Sequence, residues 1–178
     1  MNKKTIYVVV AVIVVILIVG VAGVLLLNNS PSGGDTNPTP TPEPVAVSEA
    51  TSIQFAVEET SSETSDVVIY QFAAKNLDTE TEILRVDMDM GELGKFSYIV
   101  DKGAEKSWTT MDEGATWSES NYADDLANYD ALMHSYIDKM VEEGDNTEDV
   151  SYTTDTASIL ITCIVTNPTL SDDLFAVS

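Results

Sequence analysis

The chain has 178 residues, a formal charge of −22 at neutral pH and one cysteine, Cys163. The first 34 residues carry no acid, so all 30 Asp and Glu follow them, against six bases (Lys75, Arg85, Lys95, Lys102, Lys106 and Lys139), a formal −24. Such a charge excludes nucleic acid and an anionic bilayer surface as partners, and a lone cysteine excludes an internal disulfide.

Tyr7 to Leu27 is an uncharged apolar run. At ~1.5 Å per helical residue it spans roughly 30 Å, one hydrocarbon thickness, and predicts a membrane-spanning helix. A cleaved secretory signal has a shorter core and a small-x-small exit, whereas Val24 to Leu27 continues the run past Ala22-Gly23. Lys3 and Lys4 precede it and no base follows until Lys75. That bias keeps the N-terminus cytoplasmic and places the remainder outside the cell membrane as a single-pass protein. Residues 1–27 are thus the expected anchor. Residues 28–45 are a linker rich in Pro, Thr, Gly and Ser, whose Thr-Pro repeats favour extended polyproline geometry. Residues 46–178 form an extracytoplasmic domain long enough for its own core.

That domain opens with strand patterns. Ile53, Phe55 and Val57 alternate with polar or small neighbours. Val67 to Lys75 is apolar on both sides, which predicts an interior strand. Leu84, Val86, Met88 and Met90 alternate with Ile83, Arg85, Asp87 and Asp89, and a further pair of strands covers Phe96 to Val100 and Glu105 to Thr110. Short turns between them predict an antiparallel meander. Thr110 to Trp117, Thr-Met-Asp-Glu-Gly-Ala-Thr-Trp, resembles the Asp-box of sialidases and other propeller repeats, in which a carboxylate ties the turn of a hairpin. It occurs once, so it reads as a structural hairpin rather than as part of a propeller enzyme.

After Glu119 the period lengthens. Tyr122, Leu126, Tyr129, Met133, Tyr136 and Met140 recur at steps of four and three, which predicts one long amphipathic helix with Asn121 as N-cap and Gly144 as stop. The stripe is expected to lie on the sheet, and the same six residues are the candidates to line an apolar ligand site. Val150 to Thr153 reads as a short strand. Ser158 to Thr166 reads as a last, interior strand, with Ile159, Ile161, Cys163 and Val165 expected on one face. The class is therefore α+β: a transmembrane helix, then an antiparallel meander sheet packed against one long helix.

Catalytic patterns are scarce. His134 is the single histidine, expected at the boundary of the helix stripe, and the chain has no Gly-x-Ser-x-Gly elbow, phosphate loop or dinucleotide fingerprint. No enzyme activity and no cofactor are expected. Asp87, Asp89 and Glu92 are metal candidates because alternate carboxylates of one strand face the same side, although the twelve-residue calcium loop is incomplete. A divalent cation is accordingly a candidate partner.

The layout of anchor, Pro/Thr stalk, strand meander, Trp-bearing hairpin and amphipathic helix, with Ala74-Lys75-Asn76 and the closing Asn167-Pro168-Thr169-Leu170, resembles uncharacterised archaeal membrane-anchored surface proteins. More distantly, the arrangement is similar to the lipoprotein-carrier (LolA-like) fold, which implies an apolar ligand held between sheet and helix. Type IV pilins also lead from an apolar helix into a β-domain. The functional expectation is a membrane-anchored extracytoplasmic domain that binds or senses a partner without catalysis. The alternatives are a LolA-like carrier of lipid and a surface-assembly subunit, pilin-like or associated with an S-layer.

Overall fold

A computed structural model describes residues 45–177; the expected spanning run Tyr7 to Leu27 and nearly all of the linker lie outside the described residues. Among the described residues, no helix is long and apolar enough to cross a membrane.

Eight strands form one antiparallel sheet: β1 (Ser52–Ser61), β2 (Val67–Lys75), β3 (Ile83–Asp89), β4 (Lys95–Asp101), β5 (Lys106–Thr110), β6 (Ser118–Glu119), β7 (Val150–Thr153) and β8 (Ala157–Thr166). The order is β6-β5-β4-β3-β2-β1-β8-β7. The meander expected from the short turns holds from β1 to β6. Beyond it the chain crosses one face of the sheet as helix and returns along the opposite edge, where β8 pairs with β1. A pure meander would leave β1 at an edge, and its apolar side chains require the neighbour that β8 supplies.

Period-two patterning sets the faces. Phe55, Phe72 and Val86 stand opposite one another across β1, β2 and β3 and point to the helix. Phe55 stacks on Phe72 with ring centroids 4.9 Å apart, and Tyr136 of the helix meets both rings edge-on. Burying each such side chain contributes about 1.5–3 kcal/mol, so this row anchors the core. The opposite face is covered in part by the C-terminal 3₁₀ turn Asp172–Phe175. There Phe175 is buried beneath Lys75, whose Nζ lies 4.8 Å from the ring centroid. Leu174 O accepts from Arg85 Nη1 at 3.0 Å, which fixes the turn on this face.

The alternation expected for the last strand fails at one residue. Cys163 has φ +56°, and the pairing with β1 slips between Gln54 and Ala56, the mark of a bulge. The extra residue moves the following side chains by one place. Ile164 is buried, while Val165 is 45% exposed instead of sharing the face of Ile161.

The helix runs from Tyr122 to Glu142 in three parts: α1 (Tyr122–Asp125), a π-helical turn (Leu126–Asp130) and α2 (Ala131–Glu142). Asn121 caps it, its side-chain oxygen accepting from the N–H groups of Ala123 and Asp124. In the π turn the Ala131 N–H reaches Leu126 O, five residues back, which adds a residue to that turn and rotates the stripe. Met133, Tyr136 and Met140 are buried as a result, whereas Tyr122, Leu126 and Tyr129 are half-buried. Past Glu143 the Asp145 N–H closes on Met140 O, and the Asp145 carboxylate accepts from the N–H and hydroxyl of Ser48. This ties the helix end to the segment leading into β1.

Candidate functional site

Chemically demanding side chains converge where the β2–β3 turn meets the helix. Asn76 and Asp78 adopt φ of +57° and +59°, and the Thr79 hydroxyl donates to Asn76 O. The tight turn swings Glu82 inward, with 1% exposure, against 86% for the Asp78 side chain. One Glu82 oxygen accepts from the Asp78 N–H at 2.8 Å. The other lies 3.0 Å from Lys102 Nζ and 3.3 Å from His134 Nε2. Lys102 also reaches Asp130 Oδ1 at 2.8 Å, and His134 Nε2 is 3.6 Å from that oxygen. The π turn ends on Asp130 and is followed one helical turn later by His134, so local helix geometry brings both to the sheet.

Electrostatics follow from this packing. Asp130, then Glu82, hold the proton on His134 and raise its pKa to about 10 against the opposing effect of burial. Burial acts to raise the Asp130 pKa, but the His134 and Lys102 cations beside it overcome that and hold the carboxyl well below its usual range. Lys102 is likewise lowered by burial and raised further by Asp130 and Glu82, with a net rise. A buried carboxylate, Glu82, and a half-buried one, Asp130, therefore face two cations. An imidazole protonated across the neutral range does not serve as a general base.

Asp78, Glu82 and His134 each offer a ligand atom, all within 4.8 Å of one another. A divalent ion there would have to displace the His134 proton and share Glu82 with Lys102. Because charges already balance, the cluster fits an ion-pair lock between helix, turn and β4 better than a metal centre. Nothing in the sequence singled out Glu82: Glu80, two residues earlier in the same Thr/Glu run, is exposed.

The carboxylates expected to hold a metal are placed differently. Asp87 accepts from Arg85 Nε with both oxygens at 3.0 Å. Asp89 accepts from the Gly91 N–H at 2.9 Å, and Glu92 lies in the exposed turn beyond. Among the described residues, the group of three with converging ligand atoms is the Asp78 group and not Asp87, Asp89 and Glu92.

Of the six ligand-lining candidates, Met133, Tyr136 and Met140 are spent in the core at 0–2% exposure, and Tyr129 packs on Tyr98 with centroids 4.2 Å apart. A surface depression of about 490 Å³ lies on β1, β8 and β7, bordered by Glu58, Thr60, Ser151 and Leu160 among others. None of the six stripe residues borders it.

The Asp-box hairpin is built as its residues suggest. Asp112 accepts from the Thr110 hydroxyl at 2.6 Å, the Thr116 N–H at 2.9 Å and the Thr116 hydroxyl. These bonds, the Thr110 one foremost, lower its pKa to about 2. Gly114 takes φ +91° beneath the Trp117 ring, and the Arg85 guanidinium lies 5.8 Å from that ring's centroid. The box thus pins a hairpin over the outer face of the sheet.

Comparison with protein-family models, with curated proteins and with solved structures finds no match to this chain.

Proposed function

We propose that the chain is a single-pass, membrane-anchored protein whose extracytoplasmic domain binds a partner without catalysis. The apolar run Tyr7 to Leu27 behind Lys3 and Lys4 supports the anchor and its orientation. The burial of Met133, Tyr136 and Met140 supports a packed core over a lipid carrier. The outermost strands β6 and β7, of two and four residues, offer little template for edge-to-edge assembly.

The observation that carries the binding reading is where bare apolar surface is found. Ser52, Lys75, Ile83, Asp101 and Lys106 align at one end of the sheet. The chain joins at that end, where Val45 O accepts from the Thr166 hydroxyl at 2.8 Å. Leu93 and Met111, the two most exposed large apolar side chains among the described residues, stand in the turns at the other end. Exposed apolar groups set away from the point of attachment suit a contact made with something else.

Protease added to intact cells or spheroplasts tests the placement. The domain should be degraded while a short N-terminal fragment remains in the membrane fraction. Full protection of the domain would overturn it.

A further inference from the structure

Leu93 is 74% exposed and Met111 73%, against 45% for Val165, the next in rank among the described residues. They belong to different turns, β3–β4 and β5–β6, and Lys95 lies between the two, its Nζ 4.0 Å from Asp89 and 3.9 Å from Glu113. Met111 follows Thr110, whose partner on β4 is Ser97, so it comes abreast of Phe96. Phe96 pairs with Met88, and Met88 with Tyr70 at the margin of the core. Strand alternation puts Tyr70, Met88 and Phe96 on the face that carries the helix and Asp89 and Lys95 on the other, with Leu93 and Met111 exposed in the turns beyond, and Met88 and Met111 are unbranched and adaptable.

Charge sets what can cover it. Glu92 adjoins Leu93, Asp112 and Glu113 follow Met111, and Lys95, the base of these turns, already lies between Asp89 and Glu113. Asp112 is held ionised by the Thr110 hydroxyl and the Thr116 N–H and hydroxyl. A second copy of a chain carrying −22 would bring acid against acid, and an anionic lipid surface would be repelled in the same way. A segment with apolar residues on one side and Lys or Arg on the other satisfies both the exposed apolar side chains and the acids next to them in these turns.

We propose that this tip is the docking surface for a cationic amphipathic segment of a partner protein, its apolar residues seated on Leu93, Met111 and Phe96 and its bases on Glu92 and Glu113. The assignment rests on the reading of the domain as a binding module and names the chemistry of its partner.

The test uses the full chain in nanodiscs of zwitterionic lipid, with empty discs as the blank. The probe is a short helical peptide with Leu on one face and Lys on the other, carrying a photoreactive leucine analogue. Cross-links should map to residues 91–97 and 110–113. Leu93→Ser/Met111→Ser should weaken binding roughly tenfold or more, since these are the two apolar anchors. Glu92→Gln/Glu113→Gln should weaken it several-fold and flatten its salt dependence, and a Ser/Lys peptide of equal charge should bind as weakly as the apolar double variant allows. All four substitutions are at exposed positions, so the fold is not at stake. Binding no better than to empty discs, binding indifferent to the Leu93/Met111 pair, or cross-links between two copies would each overturn the assignment. Cross-links elsewhere on the domain would overturn the tip while leaving a binding domain in place. None of these outcomes affects the protease result, so the two failures are distinguishable.

Discussion

Replacing Lys102 by Met isolates what the buried ion-pair cluster contributes. Methionine keeps the length and apolar body of the stem but removes the ammonium from Glu82 at 3.0 Å and Asp130 at 2.8 Å. Glu82 is 1% exposed and Asp130 16%, so water cannot take over as the counter-charge. Breaking one side of a buried pair costs about 3–5 kcal/mol. His134 stays 3.3 Å from Glu82, which places the expected loss near the lower figure, about 3 kcal/mol. Urea unfolding of a fragment beginning at Val45, followed by the fluorescence of Trp108 and Trp117, measures it. With a slope of about 1.5–2 kcal/mol/M, the midpoint should fall by roughly 1.5–2 M and the slope should not change. Lys106→Met is the control, because Lys106 is half exposed and 3.6 Å from an exposed Glu119; it should cost about 0.5 kcal/mol or less. Adding Glu82→Gln to Lys102→Met should recover part of the loss, since a neutral amide needs no counter-ion. A cost below about 1 kcal/mol for Lys102→Met, or no recovery in the double variant, would refute the reasoning and return the cluster to candidacy as a cation site.

Protonated His134 also ties stability to pH. Its folded pKa is raised to about 10, so its contribution is complete below the unfolded value of about 6.5 and is lost as pH rises toward 10. Unfolding free energy should therefore decline from pH 7 to 9, and His134→Gln should flatten the decline; an unchanged slope in that variant would remove His134 as the cause. Within the stripe, Met133→Ala should cost about 2–5 kcal/mol through lost transfer energy and a cavity, and Leu126→Ala, half-buried on the π turn, about 1 kcal/mol. Equal costs, joined with uptake of a fluorescent fatty acid, would restore the carrier reading.

Most of the elements could be read from the order of residues. Strand and helix periods depend on neighbours two, three or four places apart, so the register of hydrophobicity located β2 to β5, the helix, β7 and β8 within a residue or two, whereas β1 runs on to Ser61 through polar residues where the apolar alternation has ended. The Asp-box needed nothing remote, because Asp112, Gly114 and Thr116 are partners within one turn. The apolar run Tyr7 to Leu27 and the acidic charge are likewise matters of composition. Tertiary structure decided what local pattern leaves open. Whether β1 ends the sheet or pairs with β8 depends on pairings remote in the chain, such as Ile53 with Thr166. The bulge at Cys163 and the π turn at Leu126–Asp130 each insert one residue, and a shift of one place reverses or rotates a face without leaving a mark in the alternation. Glu80 and Glu82 look alike in sequence, yet only Glu82 is aimed into the core, because Lys102 from β4 and His134 from the helix arrive there to meet it. Leu93 and Met111 are two ordinary apolar residues in two separate turns until strand register sets the turns side by side, and an acidic apolar tip exists only then.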